Sequence, residues 1–131
     1  MNRAVRWIPA ATIAATLFTL SSLPGRTYGP SPFAGADKVV HATEYALLGA
    51  ATVFAWERAL ASWLAATAFG ATDELHQRWV PERSSDGWDL LADGVGAMLG
   101  VALTQAIRRR GRLASASPSE GPWPPDQMKG P

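Results

Sequence analysis

Residues 72–100, TDELHQRWVPERSSDGWDLLADGVGAMLG, hold Asp73, Glu74, Glu82, Asp86, Asp89 and Asp93, six of the chain's 11 acids, between the apolar segments Leu60–Ala71 and Val95–Ile107. Acids beside or inside apolar segments are costly unless they are paired, protonated or solvated. Any fold of this chain must therefore gather these carboxylates or bring them to water. That makes the stretch the first place to look for a functional site.

The rest of the chain favours the gathering. Only 18% of its 131 residues are charged, below the roughly 25% of an ordinary soluble domain. The charges are uneven and leave long uncharged stretches, the pattern of a small polytopic membrane protein with the lipid bilayer as its main partner. There is no cysteine, which excludes a disulfide framework and a thiolate metal site. The one basic run, Arg108–Arg112, directly follows an apolar helix; nothing points to a nucleic-acid partner.

Four spans are expected. Residues 7–23 follow Arg3 and Arg6 and read as a first transmembrane helix; a cleaved signal peptide is the alternative, but Ser21-Ser22-Leu23-Pro24-Gly25 looks more like a helix end and turn than a cleavage site. Residues 24–36 form a Pro- and Gly-rich loop. Asp37–Trp56 is long enough for a second span at 1.5 Å per residue. Glu57-Arg58 makes a tight turn into an antiparallel third helix from about Leu60. Its apolar part, ending at Thr72, is short, so a span must continue through Asp73, Glu74 and Gln77 until Val80-Pro81 stops it. Ser84-Ser85-Asp86 offers N-caps for a fourth helix, Gly87 to about Ile107. Residues 1–112 are thus one transmembrane domain, and 113–131 are expected to be a disordered Pro/Gly/Ser-rich tail.

Topology follows from the bases. With the N-terminus inside, the inner side holds Arg3, Arg6, Arg58, Arg108, Arg109, Arg110, Arg112 and Lys129, and the outer side Arg26, Lys38, Arg78 and Arg83. This excess favours both termini in the cytoplasm. Trp7, Trp56 and Trp63 would line the inner interface, and Tyr28, Trp79 and Trp88 the outer one.

That topology gathers polar helix ends on the outer side. Asp37, His41, Glu44 and Leu48 share one helical face, as do Asp86, Asp89 and Asp93. Glu44 and Asp93 fall at similar depth, and Gly96-x-x-x-Gly100 and Ala66-x-x-x-Gly70 would let backbones approach. The outer acids outnumber the outer bases, so some must be solvated, share protons or hold a cation. Glu44, Asp73, Glu74 and Asp93 are the candidate acid–base residues. Asp37, Lys38, His41, Gln77, Arg83 and Asp89 are the candidate substrate-binding residues. Simpler readings stand beside these. Asp37 is also an N-cap candidate, Arg83 a partner for Asp86 or Glu82, His76 a solvated side chain, the glycines packing positions, and the whole cluster an interhelical network. His41-x-x-Glu44 has the spacing of metal-ligand pairs in helical bundles, but such pairs are common by chance and no metal ligand or cofactor is assigned.

Asp37-Lys38-x-x-His41-x-x-x-Tyr45-x-x-Leu48-Gly49, Asp73-Glu74-x-His76-Gln77-x-x-Val80-Pro81-x-Arg83, and Asp89 with Gly96-Ala97-x-x-Gly100 together resemble the VanZ-like family over about residues 5–107. These are small bacterial membrane proteins named after a teicoplanin-resistance accessory protein. The chain departs from the pattern at Glu82, where the family usually has Gly, and at Asp93, where it commonly has Asn. The resemblance implies an all-α bundle of four transmembrane helices in the bacterial cytoplasmic membrane, with an envelope role such as lowered teicoplanin sensitivity. It supplies no reaction. Two functions stay open: a pocket that binds or modifies a lipid-linked or cell-wall component, or a non-enzymatic envelope scaffold that binds a partner. A proton-coupled carrier is weaker, since four short helices leave little room for alternating access.

Overall fold

The computed structural model describes residues 2–115. They form four helices and no strand: α1 Ile8–Ser21, α2 Ala36–Trp56, α3 Ala59–Gln77 and α4 Gly87–Ser115. Short 3-10 turns precede α1 at Val5–Trp7 and follow it at Gly25–Tyr28. The first three helices begin and end close to where the sequence places them. α4 does not stop near Ile107. The Arg run that follows is made of good helix formers, and Gly111 alone does not end the helix. From residue 116 the expected tail lies outside the described residues.

Each turn has a local cause. Glu57 takes a left-handed conformation (φ 62°), and its N–H returns to Val53 O at 2.9 Å, ending α2 and reversing the chain into α3. Asp86 caps α4 as expected: its Oδ1 accepts the Trp88 N–H at 3.0 Å. Glu82 also sits at φ 60°, a conformation that favours glycine. Its side chain accepts from the Arg26 backbone N–H and guanidinium, and Gly25 N–H donates to Pro81 O at 3.1 Å. The two loops are thereby stitched together.

The helices run up, down, up, down. At one end, α1 meets α3 through Ser21–Asp73 and Ser22–His76, and α2 meets α4 through Lys38–Asp86. At the other end Arg6 bonds Phe54 O and Glu57, Trp7 lies 5.9 Å from Trp56, and Arg108 donates to Val53 O and Phe54 O. Two guanidiniums thus serve the last carbonyls at the negative end of α2. Trp63 departs from the expected inner ring: it turns inward and donates from Nε1 to Gly94 O at 2.9 Å.

α2 and α4 are in closest contact. A Cβ on Gly100 would lie 1.9 Å from Ala46 O, one on Gly96 2.1 Å from Ala42 O, and one on Gly49 2.3 Å from Ala97 O. Only glycine permits this approach. The apolar core is correspondingly small, built on Leu17, Tyr45, Leu48, Ala66 and Ala97. Large apolar side chains are instead exposed along every helix, among them Ile8, Phe18, Val39, Leu47, Leu60, Leu64, Val95, Leu99 and Leu103. Asp73, Glu74, Asp89 and Asp93 are buried. Among the described helices α4 is long and apolar enough to cross a membrane, and the apolar segment Val5–Ser21 is shorter.

Candidate functional site

The stitched end of the bundle holds a cavity of about 350 Å³ bounded by α1, α2, α3 and the loops after α1 and α3. Asp37, His41, Glu44, Asp73, Gln77 and Arg83, six of the sequence candidates, reach it. Their convergence comes from helical spacing. Glu44 and Tyr45 stand three and four residues after His41 along α2, and Gln77 stands four after Asp73 along α3.

Their bonding differs. Asp73 is satisfied on both oxygens: Ser21 Oγ donates to Oδ1, and Gln77 Nε2 donates to Oδ2 at 3.2 Å. Glu44 is half-buried at the cavity, and no hydrogen bond or ion pair engages its carboxylate among the described residues. Arg83 pairs with neither Asp86 nor Glu82, the carboxylates nearest in sequence. Glu82 is taken by Arg26 and Asp86 by Lys38, so Arg83 instead lies over the Tyr28 ring at 4.8 Å, its Nε buried without a partner. A guanidinium free of carboxylates, at the lip of a cavity, suits an anionic group.

Lys38 and Asp89 stand elsewhere. The Lys38 ammonium bonds Asp37 at 2.9 Å and Asp86 at 2.8 Å. It also lies 2.7 Å from Asp89 Oδ1, close enough for ion pairing but poorly directed for a hydrogen bond, so that oxygen lacks a donor. This clamp joins the start of α2 to the start of α4 outside the cavity. The Lys38 ammonium, hydrogen-bonded to Asp86, holds that loop carboxyl below its ordinary range, with help from the Trp88 N–H. Asp86 is therefore ionised at neutral pH.

Glu74 and Asp93 lie deeper, and His41 links them to the cavity. His41 Nδ1 is 2.8 Å from Asp93 Oδ1. Glu74 Oε2 accepts the Asp86 N–H at 3.0 Å. One oxygen of each acid, Glu74 Oε1 and Asp93 Oδ2, is buried without a partner. His76, partly exposed, pairs with Ser22 and lies 4.7 Å from Phe18 between centroids with the rings tilted.

Ser21, Tyr28 and Tyr45 also line the cavity and were not singled out as site candidates by sequence reasoning. Ser21 read as a helix end and Tyr28 as an interface aromatic, and nothing local in the sequence marks either as a neighbour of Asp73 or Arg83. Tyr45 was legible, because it lies four residues after His41 on the same face; its hydroxyl is buried without a partner.

No curated protein and no solved structure matches the chain. A family model described as VanZ/LLP1 matches residues 1–108, which takes in α1, α2, α3, most of α4 and every residue of the cavity. The chain belongs to the VanZ/LLP1 family.

Proposed function

We propose that this protein is a four-pass protein of the bacterial cytoplasmic membrane whose cavity opens outward and takes the anionic head of a lipid-linked or cell-wall component. The observation that carries this reading is the pairing of an unengaged Arg83 with an unengaged Glu44 on one cavity. Arg83 supplies charge-assisted donors for a phosphate or carboxylate. Glu44 supplies a carboxylate free to take or give a proton at the bound group. Gln77 is held by Asp73 and orients that wall. Membrane placement is supported by buried acids inside and large apolar side chains outside, the reverse of a water-soluble bundle. Lowered sensitivity to glycopeptides such as teicoplanin is the phenotype proposed for such a role.

The test uses amides in place of the cavity acids. Glu44→Gln and Asp73→Asn keep shape and most hydrogen bonding. Each is expected to abolish the envelope phenotype while the protein accumulates in the membrane at wild-type level. Glu57→Gln, in the opposite turn, should be silent. Full function in both cavity variants would defeat the proposal.

A non-enzymatic scaffold is the second reading, favoured by one observation: the Lys38 bonds to Asp37 and Asp86 and the Ser21–Asp73–Gln77 set are made within the protein and need no ligand. On that reading the acids hold helices together, and Glu44→Gln is tolerated. Untargeted lipid and cell-wall profiling of a deletion strain separates the two, since only a modifying site changes the composition.

A further inference from the structure

Three helices each send one potential metal ligand to a common point behind the cavity: His41 from α2, Glu74 from α3 and Asp93 from α4. A donor atom of each lies within 4.8 Å of the other two. Ligands bound at about 2.0–2.2 Å in a tetrahedral set stand roughly 3.3–3.6 Å apart, so side-chain closure of at most about 1.5 Å brings all three onto one ion.

A cluster of acids alone would say little. Here the buried oxygens say more. Asp93 is 1% exposed and Glu74 5%, yet Asp93 Oδ2 and Glu74 Oε1 have no donor. An unpartnered carboxylate oxygen in a low-dielectric interior is expensive. A proton on His41 would serve Asp93 Oδ1 through the existing 2.8 Å contact but would leave both orphan oxygens unsatisfied. Lys38, three residues before His41 on α2, is committed to Asp37, Asp86 and Asp89. A doubly charged cation between Glu74 and Asp93 would offset both buried carboxylates and bring the trio, with neutral imidazole, to zero net charge.

We propose that His41, Glu74 and Asp93 bind a divalent transition-metal ion. The mixed imidazole and carboxylate set suits Zn²⁺ or Mn²⁺ better than the oxygen-seeking Mg²⁺ or Ca²⁺. Three protein ligands leave a coordination position free, the arrangement of catalytic rather than structural sites. His41 lies on both the cavity and the trio, so the ion stands behind the proposed head-group site, where it would polarise a bound phosphoryl or carboxyl oxygen. The metal adds to the proposed function of the cavity and rests on that reading only for this last role.

The experiment is metal binding by the full chain, purified in detergent and stripped with a chelator. Zn²⁺ and Mn²⁺ are offered separately, and retained ion is counted by elemental analysis after dialysis. About one ion per chain is expected for one of them, with a rise in melting temperature that the chelator reverses. Glu74→Gln and Asp93→Asn should each weaken binding by at least 10–100-fold, the range seen for outer partners of metal ligands. Glu57→Gln should bind like the wild type. If an acid variant does not accumulate, His41→Gln carries the comparison, and the wild-type melting shift is independent of all variants. No ion retained by folded protein, or unchanged binding in the variants that fold, overturns the metal site. Binding with an unaltered phenotype in Glu44→Gln and Asp73→Asn keeps the metal and defeats the cavity proposal. Loss of that phenotype with no bound metal does the reverse.

Discussion

At the scale of single residues, the site is distinguished by what its polar atoms lack. Asp73 and Asp86 have donors, but the Tyr45 hydroxyl, Arg83 Nε, Glu74 Oε1 and Asp93 Oδ2 are buried without partners at the same end of the bundle. Buried polar groups are nearly always bonded, and an unmet hydroxyl costs about 1–3 kcal/mol. Tyr45 gives a direct check. Tyr45→Phe removes an orphan hydroxyl and leaves the ring against Phe69, 6.3 Å away between centroids. Stability is expected to hold or rise by up to about 1–3 kcal/mol in thermal unfolding, while the envelope phenotype weakens. A clear loss of stability would mean that the hydroxyl is bonded in the resting protein. Gly70 is equally informative. A Cβ there would lie 2.8 Å from Asp93 Oδ2 and 3.1 Å from the Tyr45 ring. Gly70→Ala is therefore expected to displace Asp93 and reduce function while the helices remain assembled, judged by unchanged helical circular dichroism.

At the scale of helices, small residues on α2 and α4 set the geometry. Gly49, Gly96 and Gly100 let the two backbones touch, which places Asp93 beside His41. Gly100→Ala would put a methyl 1.9 Å from a backbone carbonyl, a neighbour that cannot swing away. The helices must separate, at a cost of about 1–3 kcal/mol or more by the usual penalty of overpacking. The expected result is a lower melting temperature in detergent together with loss of function. Gly111→Ala, which meets nothing within 4 Å, should leave both unchanged or raise the helix stability slightly. Equal effects at the two positions would show that close packing of α2 on α4 is not what holds the site.

At the scale of the whole molecule, the bundle is polar at one end and basic at the other. The loops carrying Arg26, Glu82 and Arg83 meet at the cavity end, while Arg6, Arg58 and Arg108 gather at the opposite one. The excess of bases at that opposite end predicts that it faces the cytoplasm. Ser84→Cys is then expected to react with a membrane-impermeant thiol reagent in intact cells. Labelling only after lysis would invert the topology and with it the outward-facing cavity.

The sequence by itself determined the helices and their turns. Apolar runs and turn signals placed α1, α2 and α3 to within a residue or two, Asp86 was legible as a cap of α4, and small-residue spacing marked α4 and α3 for close approach, although the tightest contact is α4 on α2. These are short-range matters, settled by a residue and neighbours at most four positions away. It also gathered the acids at one end, because antiparallel helices of known length leave no other arrangement. Sequence erred where a good local partner existed but a distant one was better placed. Arg83 read as a mate for Glu82 or Asp86, yet those carboxylates went to Arg26 and Lys38, 56 and 48 residues away. Trp63 read as an interface residue until α4 offered a carbonyl to its indole. Metal-like spacing was visible in His41 and Glu44 on one helix, whereas the trio that converges comes from three. Which side chains meet across helices depends on rotation and depth, and these are fixed by packing of all four elements at once. Only the tertiary structure could decide that Asp73 is satisfied while Glu74 and Asp93 each keep a buried oxygen without a donor.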